Sequence, residues 1–365
     1  MPDRADAWTI DDPNRVADAL RAAGWRVIGP MIRSGAIVLA ELPEGSRLPR
    51  GVADRQAPGA YRLTAGDPGR WFDHVVGPQS WKAWLHPPVE TLWTATRGGG
   101  FEPAPQEWPP TAFFGARACE IAAMGVLDRA LDGPRGADPR YATRRRGTFV
   151  VAVNCARAAD TCFCAAQGTG PQAEGGFDLA LTELDGRLLL EAGSARGLGI
   201  ARALDAPPAS EADRGAARDA VAAAARAQTR RLPGDIAETL RESAGSPLWD
   251  EIGDRCLGCG SCALSCPTCF CADFEDASDL DGETVARRRV WDSCFSLDFS
   301  RIGGGPVRRA RGARYRQWMT HKLSWWIDQF GCSGCVGCGR CMTWCPVAID
   351  LTAEAARLSA ARAGP

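Results

Sequence analysis

The sequence predicts an α+β or α/β protein, in which an N-terminal α/β domain is followed by a mostly helical domain. Three observations support this fold class. Strand and helix patterns alternate before residue 205, prolines and glycines flank an alanine-rich stretch over 206–245, and twelve of the 16 cysteines lie beyond residue 255. We therefore expect an α/β domain over 1–205, a helical connector over 206–245 and a second domain over 246–365.

The first elements of the N-terminal domain follow from their residue patterns. Asp12 and Pro13 suit the cap and first turn of a helix that continues to about Ala23. Two short apolar runs after this helix, at Arg26–Ile28 and Ala36–Leu42, predict strands. The domain is thus expected to open with a helix that leads into two strands.

A second group of patterns predicts parallel strands. Thr111–Ala116 and Thr148–Val153 are rich in β-branched and aromatic residues, and Glu120–Leu131 between them has apolar residues at helical spacing. Strand, helix and strand in close succession predict a βαβ unit. Asp185-Gly186 predicts a hairpin turn, and Ser210 suits the cap of a helix that continues to about Arg231.

Composition and charge argue against several classes of function. The 365 residues carry a formal net charge of −1, which gives no general attraction to nucleic acid or to an anionic membrane. No apolar run is long enough to cross a bilayer, and Met1–Asp12 is too polar and acidic for a signal peptide, so we expect a cytoplasmic protein without a membrane span. Lys82 and Lys322 are the only two lysines, and all other Lys or Arg positions hold arginine. We interpret this preference for arginine as a compositional bias.

The cysteines indicate metal or redox chemistry, because a reducing compartment disfavours disulfides. Two copies of one motif lie in the second domain. They are Cys256-x2-Cys259-x2-Cys262-x3-Cys266-Pro267 and Cys335-x2-Cys338-x2-Cys341-x3-Cys345-Pro346. This is the run of bacterial ferredoxins, in which three closely spaced thiolates bind one 4Fe-4S cluster and the fourth binds the neighbouring cluster.

This crossing pattern assigns eight cysteines to two 4Fe-4S clusters. One cluster takes Cys256, Cys259, Cys262 and Cys345, and the other takes Cys335, Cys338, Cys341 and Cys266. A pair of structural zinc sites is the alternative, because C-x2-C is also a zinc spacing. The x3-Cys-Pro ending of both copies favours iron–sulfur clusters.

Four further cysteines predict a third 4Fe-4S cluster in the N-terminal domain. Cys119 and Cys155 each follow a predicted parallel strand, and ligand sites in open α/β sheets lie at the carboxyl ends of the strands. Cys162 and Cys164 follow in the next loop. Buried thiols that only pack as small apolar groups are the alternative.

Four cysteines remain after three clusters are filled: Cys269, Cys271, Cys294 and Cys332. A fourth cluster is one interpretation. The other is a set of buried thiols that shape the surroundings of the clusters. The string Thr268-Cys-Phe-Cys271 repeats Thr161-Cys-Phe-Cys164, which leaves alternative ligation open.

Nine arginines occur close together, at positions 287, 288, 289, 301, 308, 309, 311, 314 and 316. A nucleic-acid surface is not favoured, because the segment has no repeat of aromatic residues for base stacking. A solvated face remains, as does a role in offsetting the negative charge of the clusters or in docking an acidic partner.

Nothing in the sequence predicts a catalytic residue. The three histidines, His74, His86 and His321, are expected to be structural. No glycine-rich dinucleotide fingerprint stands between a strand and a helix, and no P-loop or nucleophile elbow is present. A chain with electron carriers and no reaction centre is expected to belong to a larger oxidoreductase.

Several segments resemble one known family over about residues 70–350. They are GPQSWKAWLHPPVETLW, GARACEIAAMGVLDRAL, DPRYATRRRGTFVVAVNCARAADTCFCAAQGTGP, GGFDLALTEL, CPTCFCADFED, WDSC, RYRQWMTHK and CVGCGRC. Together they are similar to the iron–sulfur beta subunit of cytoplasmic sulfhydrogenases, which are NiFe hydrogenases and sulfur reductases. The A subunit of anaerobic sulfite reductase belongs to the same family.

The resemblance implies an electron-transfer subunit with three 4Fe-4S clusters, whose ligands map onto the twelve cysteines assigned above. Its partners would be a flavin/NAD(P)H-binding subunit with its own iron–sulfur centre and the small and large subunits of a hydrogenase. The equivalent subunit of an anaerobic sulfite reductase is one alternative. A structural zinc-binding scaffold is the alternative from another class, and neither nucleic acid nor a membrane is an expected partner.

Overall fold

The computed structural model describes residues 6–75, 77–134 and 136–362. Of the N-terminal stretch considered above as a signal, residues 1–5 lie outside the described residues. The strands in the described chain are β1 Ala7–Ile10, β2 Arg26–Arg33, β3 Ala36–Glu41, β4 Val52–Ala57, β5 Ala60–Ala65, β6 Val89–Thr96, β7 Phe101–Pro103, β8 Thr111–Ala116, β9 Asp132–Gly133, β10 Gly136–Ala137, β11 Thr148–Asn154, β12 Leu179–Glu183, β13 Leu188–Ala192, β14 Ala272–Ser278, β15 Thr284–Trp291, β16 Arg301–Ile302 and β17 Gly305–Pro306.

Helices alternate with these strands and dominate the C-terminal part. They are α1 Asn14–Ala22, α2 Lys82–Leu85, α3 Ala118–Leu131, α4 Pro139–Arg146, α5 Ala195–Ala203, α6 Glu211–Arg226, α7 Ile236–Glu242, α8 Leu248–Arg255, α9 Ser261–Leu264, α10 Arg311–Thr320, α11 Trp326–Phe330, α12 Arg340–Thr343 and α13 Leu351–Arg362. Short 3₁₀ turns occur at Ala165–Gln167 and Ser243–Gly245, and a π-helical turn at His321–Trp325 joins α10 to α11.

The main sheet has seven strands in the order β1-β13-β12-β11-β8-β2-β3. Its central strands β12, β11, β8 and β2 run parallel, and β13 and β3 flank them in the antiparallel sense. β8 and β11 are parallel neighbours joined through α3, so the predicted βαβ unit is confirmed. Every residue of β8 and β11 is buried, as expected for parallel strands covered on both faces.

Helices cover both faces of this sheet. Leu20 of α1 packs in one core with Phe114 of β8, whereas Met124 of α3 packs in another core with Phe113 of the same strand. Neighbouring phenylalanines therefore serve opposite layers, because side chains alternate along a strand. The carboxyl ends of β8 and β11 lie between these layers, and they place the first cysteines of the candidate site.

Other predicted elements are also present. The helix expected from Asp12 is α1, and the turn at Asp185-Gly186 joins the antiparallel pair β12 and β13. Ser210 caps α6 through a reciprocal pair of bonds with Asp213. The helix ends at Arg226 and not near Arg231, because the next residues are tied elsewhere: Gln228 bonds to Ala165, and Arg230 bonds to Asp160.

A second sheet combines strands from both halves of the chain, in the order β14-β15-β6-β7. β15, from 284–291, pairs antiparallel with β6, from 89–96. The C-terminal part is therefore not only helical, and its β-hairpin is shared with the N-terminal part. The division at 205 and 246 stays a prediction.

The helices of the C-terminal part enclose a separate apolar core that includes Trp249, Trp318 and Leu358. α8 and α10 cross at two glycines, where a Cβ on Gly312 would lie 2.1 Å from the carbonyl oxygen of Trp249. Only glycine permits backbones to approach this closely. The close crossing positions α8 directly before the first cysteine motif.

Candidate metal centres

The two cysteine motifs fold into matching loops. Gly258 and Gly260 have φ values of 69° and 74°, and the equivalent Gly337 and Gly339 have values of 63° and 75°. A four-residue helix follows each loop, α9 in the first copy and α12 in the second. The left-handed conformation favours glycine at all four positions. The repeated sequence therefore encodes a repeated backbone shape.

Backbone amides in these loops point at sulfur. The Gly258 N–H donates to Cys256 Sγ at 3.3 Å, and the Gly337 N–H donates to Cys335 Sγ at 3.5 Å. A third such bond joins the Ile349 N–H to Cys345 Sγ at 3.3 Å. Such bonds stabilise negative charge on sulfur, which is the state of a thiolate that binds metal.

A small cavity lies at the first loop. It is lined by Cys256, Cys259 and Cys262 of the first motif together with Cys345 of the second. Cys341 of the second motif borders it as well. The four cysteines that the crossing pattern assigns to one cluster therefore share one cavity, and Cys259 is the exposed member.

The other crossing group surrounds Cys341. Burial raises the pKa of the Cys341 thiol, and the neighbouring thiols of Cys335, Cys338 and Cys266 raise it further. Cys266 thus lies with the cysteines of the second motif, although it belongs to the first.

A buried lysine contacts this second group. Lys322 Nζ donates to Cys266 Sγ at 3.3 Å and to Thr268 Oγ1 at 2.8 Å. Burial alone would lower the pKa of Lys322, but the thiols of Cys266 and Cys269 raise it well above its ordinary value. Sequence reasoning missed this contact, and the available signal was that the chain has only two lysines.

Cysteines of the third predicted group lie at the carboxyl ends of two strands of the main sheet. Cys119 lies in the first turn of α3, just after β8, and Cys155 directly follows β11. Burial raises the pKa of Cys164 to about 11, and Cys155 is the next contributor. Burial also raises the pKa of Cys162, with Cys164 and Cys155 as the neighbouring thiols.

Polar groups and a glycine border these thiols. Gln228 Nε2 donates to Cys164 Sγ at 3.3 Å, and Arg117 Nη1 lies 3.7 Å from Cys155 Sγ. A Cβ on Gly170 would lie 3.1 Å from Cys164 Sγ, so this loop position needs glycine. Two hydrogen-bond donors and a tightly packed backbone segment therefore lie beside the third group of cysteines.

The second motif packs directly against the third group. The Phe163 N–H donates to the Gly337 carbonyl at 2.8 Å, and a Cβ on Gly337 would lie 2.6 Å from the Cys164 nitrogen. Beside these contacts, Arg340 Nη2 pairs with Glu120 Oε1 at 2.5 Å, and both side chains are buried. A buried ion pair therefore joins the loop of the second motif to the helix that carries Cys119.

Three of the four unassigned cysteines also come together. Cys269, Cys271 and Cys294 line one small cavity. Cys332 does not line it, and packs instead in an apolar cluster with Trp326 and Val336.

The arginine run does not form one solvated face. Arg289 is buried and pairs with Glu90 at 2.5 Å, and Arg314 donates to the backbone carbonyl of Arg309 at 2.7 Å. Arg311 lies beside the first motif, where burial raises the pKa of Cys256 and the Arg311 charge lowers it. One arginine of the run thus acts on a cysteine of the first group.

The histidines lie in buried or half-buried positions, with pKa values below the ordinary range. Burial and the charges of Arg117 and Arg157 lower the pKa of His74 to about 3. Burial and the charge of Arg289 lower the pKa of His86 to about 4. Burial also lowers the pKa of His321. All three are therefore neutral imidazoles at pH 7.

Two features are absent from the described residues. Within 6–75, 77–134 and 136–362, no three His, Cys, Asp or Glu side chains converge as the ligands of a single metal ion would. In the same ranges, no helix has the length and apolar character to span a membrane.

Comparison with known proteins identifies the family. A 4Fe-4S dicluster domain matches residues 255–349, which span both cysteine motifs. Sulfhydrogenase 2 subunit beta of Pyrococcus furiosus is 32% identical over 242 residues, which cover 65% of this chain and 70% of that protein. The chain belongs to the sulfhydrogenase beta-subunit family. No solved structure gives a significant match.

Membership of the sulfhydrogenase beta-subunit family confirms the resemblance predicted from the sequence. The dicluster domain confirms that the two motifs form a 4Fe-4S module. This sulfhydrogenase beta-subunit homologue is thus an iron–sulfur electron-transfer subunit. The residues present fit such cofactors, since thiolates are the ligands of iron–sulfur clusters and backbone amides are aimed at the sulfurs of both loops.

Proposed function

We propose that this chain relays electrons through three 4Fe-4S clusters between a flavin/NAD(P)H subunit and a NiFe hydrogenase module. The twelve ligands are those predicted from the sequence. They are Cys256, Cys259, Cys262 and Cys345 for the first cluster, Cys335, Cys338, Cys341 and Cys266 for the second, and Cys119, Cys155, Cys162 and Cys164 for the third.

One observation carries this proposal: the second motif contacts both other cysteine groups. On one side, Cys341 borders the cavity that contains Cys345. On the other side, the Gly337 carbonyl accepts the bond from Phe163, between Cys162 and Cys164. The second cluster would then stand between the first and the third. Three clusters in this order form a continuous path for electrons.

The two ends of this path lie near the surface. Cys259 of the first group is exposed, and Leu257 beside it is 59% exposed. At the other end, an open cavity of about 520 Å³ lies between the loop 168–175, α3 and α6. Both ends offer a place where a partner subunit can approach a cluster.

The protein's own residues hold and tune the clusters and carry out no substrate chemistry. When bound, each cluster accepts and releases one electron at a time. The amides of Gly258 and Gly337 stabilise the thiolates, and Lys322 adds a positive charge beside Cys266. No residue is assigned to a catalytic step.

The partners are proposed from the name of the relative, a sulfhydrogenase subunit. Purification of the native protein under anaerobic conditions tests them. We expect a flavin subunit and a hydrogenase in the same complex, with NAD(P)-linked hydrogen uptake. Sulfite reduction without hydrogen uptake would point to the sulfite reductase alternative. Zinc without iron in a colourless preparation would favour the scaffold alternative.

A Cys119→Ala variant tests the position of the third cluster in the path. One cluster should be lost while the electron paramagnetic resonance signals of the ferredoxin pair remain. Electron flow between the partners should then fall close to background, whereas each partner keeps its activity with artificial dyes.

Cys332→Ala is the matched control, because Cys332 packs in the same apolar cluster as Cys119 and is assigned to no cluster. It should retain all signals and full electron flow. Normal electron flow in the Cys119→Ala complex would remove the third cluster from the path.

A further inference from the structure

Three of the four unassigned cysteines line a further cavity. Cys269 and Cys271 come from the segment after the first motif, and Cys294 comes from the turn after β15. The cavity that they line is similar in size to the cavity at the first motif. Three thiols from two separate segments therefore face a space as large as that proposed for a cluster.

The segment that carries two of these thiols repeats the segment of the third group. Thr268-Cys-Phe-Cys271 has the same letters as Thr161-Cys-Phe-Cys164. Each threonine is fixed to the second motif: Thr161 Oγ1 bonds to Thr343 Oγ1 at 2.9 Å, and Thr268 Oγ1 donates to the Gly334 carbonyl at 2.7 Å. The two copies thus attach in a similar way to opposite ends of the stretch 334–343.

The charges around this group point to an anion. Lys82 and Lys322 are the only lysines in the chain, and their exposed fractions are 3% and 6%. Lys322 lines the cavity, and Lys82 Nζ donates to the Cys269 carbonyl at 2.8 Å. Among the ion pairs of the described residues, neither lysine has a carboxylate partner. Lys322 is a buried ammonium group that needs negative charge beside it, and thiolate-bound clusters supply such charge.

The backbone next to the cavity is irregular in a way that is common at functional sites. His321 and Lys322 line the cavity from the π-helical turn between α10 and α11. Such turns insert one residue into a helix and are frequent at functional sites. Here the turn directs the lysine toward Cys266 and the cavity.

We propose that Cys269, Cys271 and Cys294 bind a fourth iron–sulfur cluster in this cavity. Asp292 and His321 line the same space and are the candidates for the ligand of the remaining iron. The proposal rests on the proposed function only for the class of cofactor. Thr268, directly before Cys269, has its hydroxyl 3.2 Å from Cys266 Sγ, so the fourth cluster would stand next to the second.

The experiment measures iron and acid-labile sulfide in the full chain, prepared under anaerobic conditions. Cys271→Ala and Cys294→Ala should each lose about four iron and four sulfide atoms, or about one iron where a three-iron cluster survives. Cys332→Ala, which alters the unassigned thiol outside the cavity, should keep the wild-type content. Wild-type iron and sulfide in both cavity variants would overturn the proposal.

Two further measurements keep the result decisive. Cys119→Ala addresses a different group, so failure of the third cluster and failure of the fourth are distinguished. Should the cavity variants fail to fold, the iron content of wild type is compared with that of Cys119→Ala. About sixteen irons falling to about twelve supports the fourth cluster, and about twelve falling to about eight overturns it.

Discussion

At the scale of single residues, the choice of lysine over arginine carries information. A chain with 43 lysines and arginines in total keeps lysine at only two positions, and both are buried beside cysteines. An ammonium group is compact and can bond to a sulfur, a hydroxyl and a carbonyl in different directions, whereas a guanidinium is planar and larger. Compositional bias explains the many arginines, and the surroundings of Cys266 explain why a lysine suits position 322.

Replacing Lys322 should change the potential of one cluster. In Lys322→Met the second cluster loses a charge-assisted bond of about 1.5–3 kcal/mol, so its reduction potential should fall, by no more than about 130 mV. The negative shift follows because a positive charge stabilises the reduced, more negative cluster. Redox titration followed by electron paramagnetic resonance measures it.

Lys82→Met is the matched control, since Lys82 bonds to the carbonyls of Cys269 and Leu264 and to no thiol. It should shift the second cluster less than Lys322→Met does. An unchanged potential in a Lys322→Met protein with full iron content would show that the contact with Cys266 has no effect on the cluster.

At the scale of elements, the two motif loops share a conformation but not their surroundings. A Cβ on Gly258 would meet the Arg314 guanidinium at 3.2 Å, which is the movable end of a side chain. A Cβ on Gly337 would meet the backbone of Phe163 and Cys164 at 2.6 Å. The second loop is therefore the one that the protein holds against another cysteine group.

This difference predicts unequal effects of the same substitution. Gly258→Ala and Gly337→Ala both incur about 1–2 kcal/mol for a left-handed alanine. Only Gly337→Ala should add a further cost of about 1–3 kcal/mol by displacing the segment 161–164. Anaerobic urea denaturation measures the cost, and iron analysis should show loss of the third cluster only in Gly337→Ala. Equal behaviour of the two variants would contradict the packing described here.

The crossing of ligands is a second property of these elements. Cys345→Ala should damage the cluster at Cys256, Cys259 and Cys262, because Cys345 shares their cavity. A parallel variant with an altered loop at Cys335 should lose the other cluster. Spin counting on both variants then distinguishes the two clusters. Loss of only the cluster at the second loop would refute the crossing assignment.

Sequence reasoning succeeded for elements whose pattern is local. β8, α3 and β11 were predictable because buried strands and an amphipathic helix have distinct periods, and the parallel order then placed Cys119 and Cys155 at one edge. The pairing of β15 with β6 was not predictable. These strands lie far apart in the sequence, and β15 contains three arginines that resemble a solvated face.

At the scale of the whole molecule, a buried charge cluster joins the halves of the chain. Glu90 of β6 accepts bonds from Arg140 and Arg144 of α4 and from Arg289 of β15. Burial raises the pKa of Glu90, but the Arg144 bond and the three arginine charges outweigh burial and lower it below 4.5. The carboxylate therefore stabilises the shared sheet.

Removing this carboxylate should weaken the folded state. Glu90→Gln leaves three arginines near an uncharged amide, at a cost of about 3–5 kcal/mol. Because the folded pKa is depressed, the contribution is complete above pH 4.5 and is lost as the pH falls through the lower folded value. Urea denaturation at pH 7 and at pH 4 should show that the difference between wild type and variant shrinks in acid.

Asp276→Asn is the control for Glu90→Gln. Asp276 of β14 pairs with Arg287 of β15, but this pair is exposed. Exposed pairs contribute little, so its urea midpoint should stay near that of wild type. Similar losses in both variants would assign the effect to the hairpin and not to the buried carboxylate.

The candidate site as a whole was only partly predictable. Motif spacing defines which thiols can share a cluster. The grouping of Cys269 and Cys271 with Cys294 instead depends on the antiparallel hairpin β14–β15, which brings the residues at its two ends together. The bond from Lys322 to Cys266 depends on the π-helical turn. Both are tertiary features without a local signal.

The cavity that joins the first motif to Cys345 also bears on how the protein is made. During translation, Cys256, Cys259 and Cys262 leave the ribosome long before Cys345 is synthesised. In that interval the first loop has only three of its four ligands. The complete set of four ligands exists only after residue 345 has emerged. Cluster insertion is then a late step of maturation, and it locks together two segments that were synthesised far apart in time.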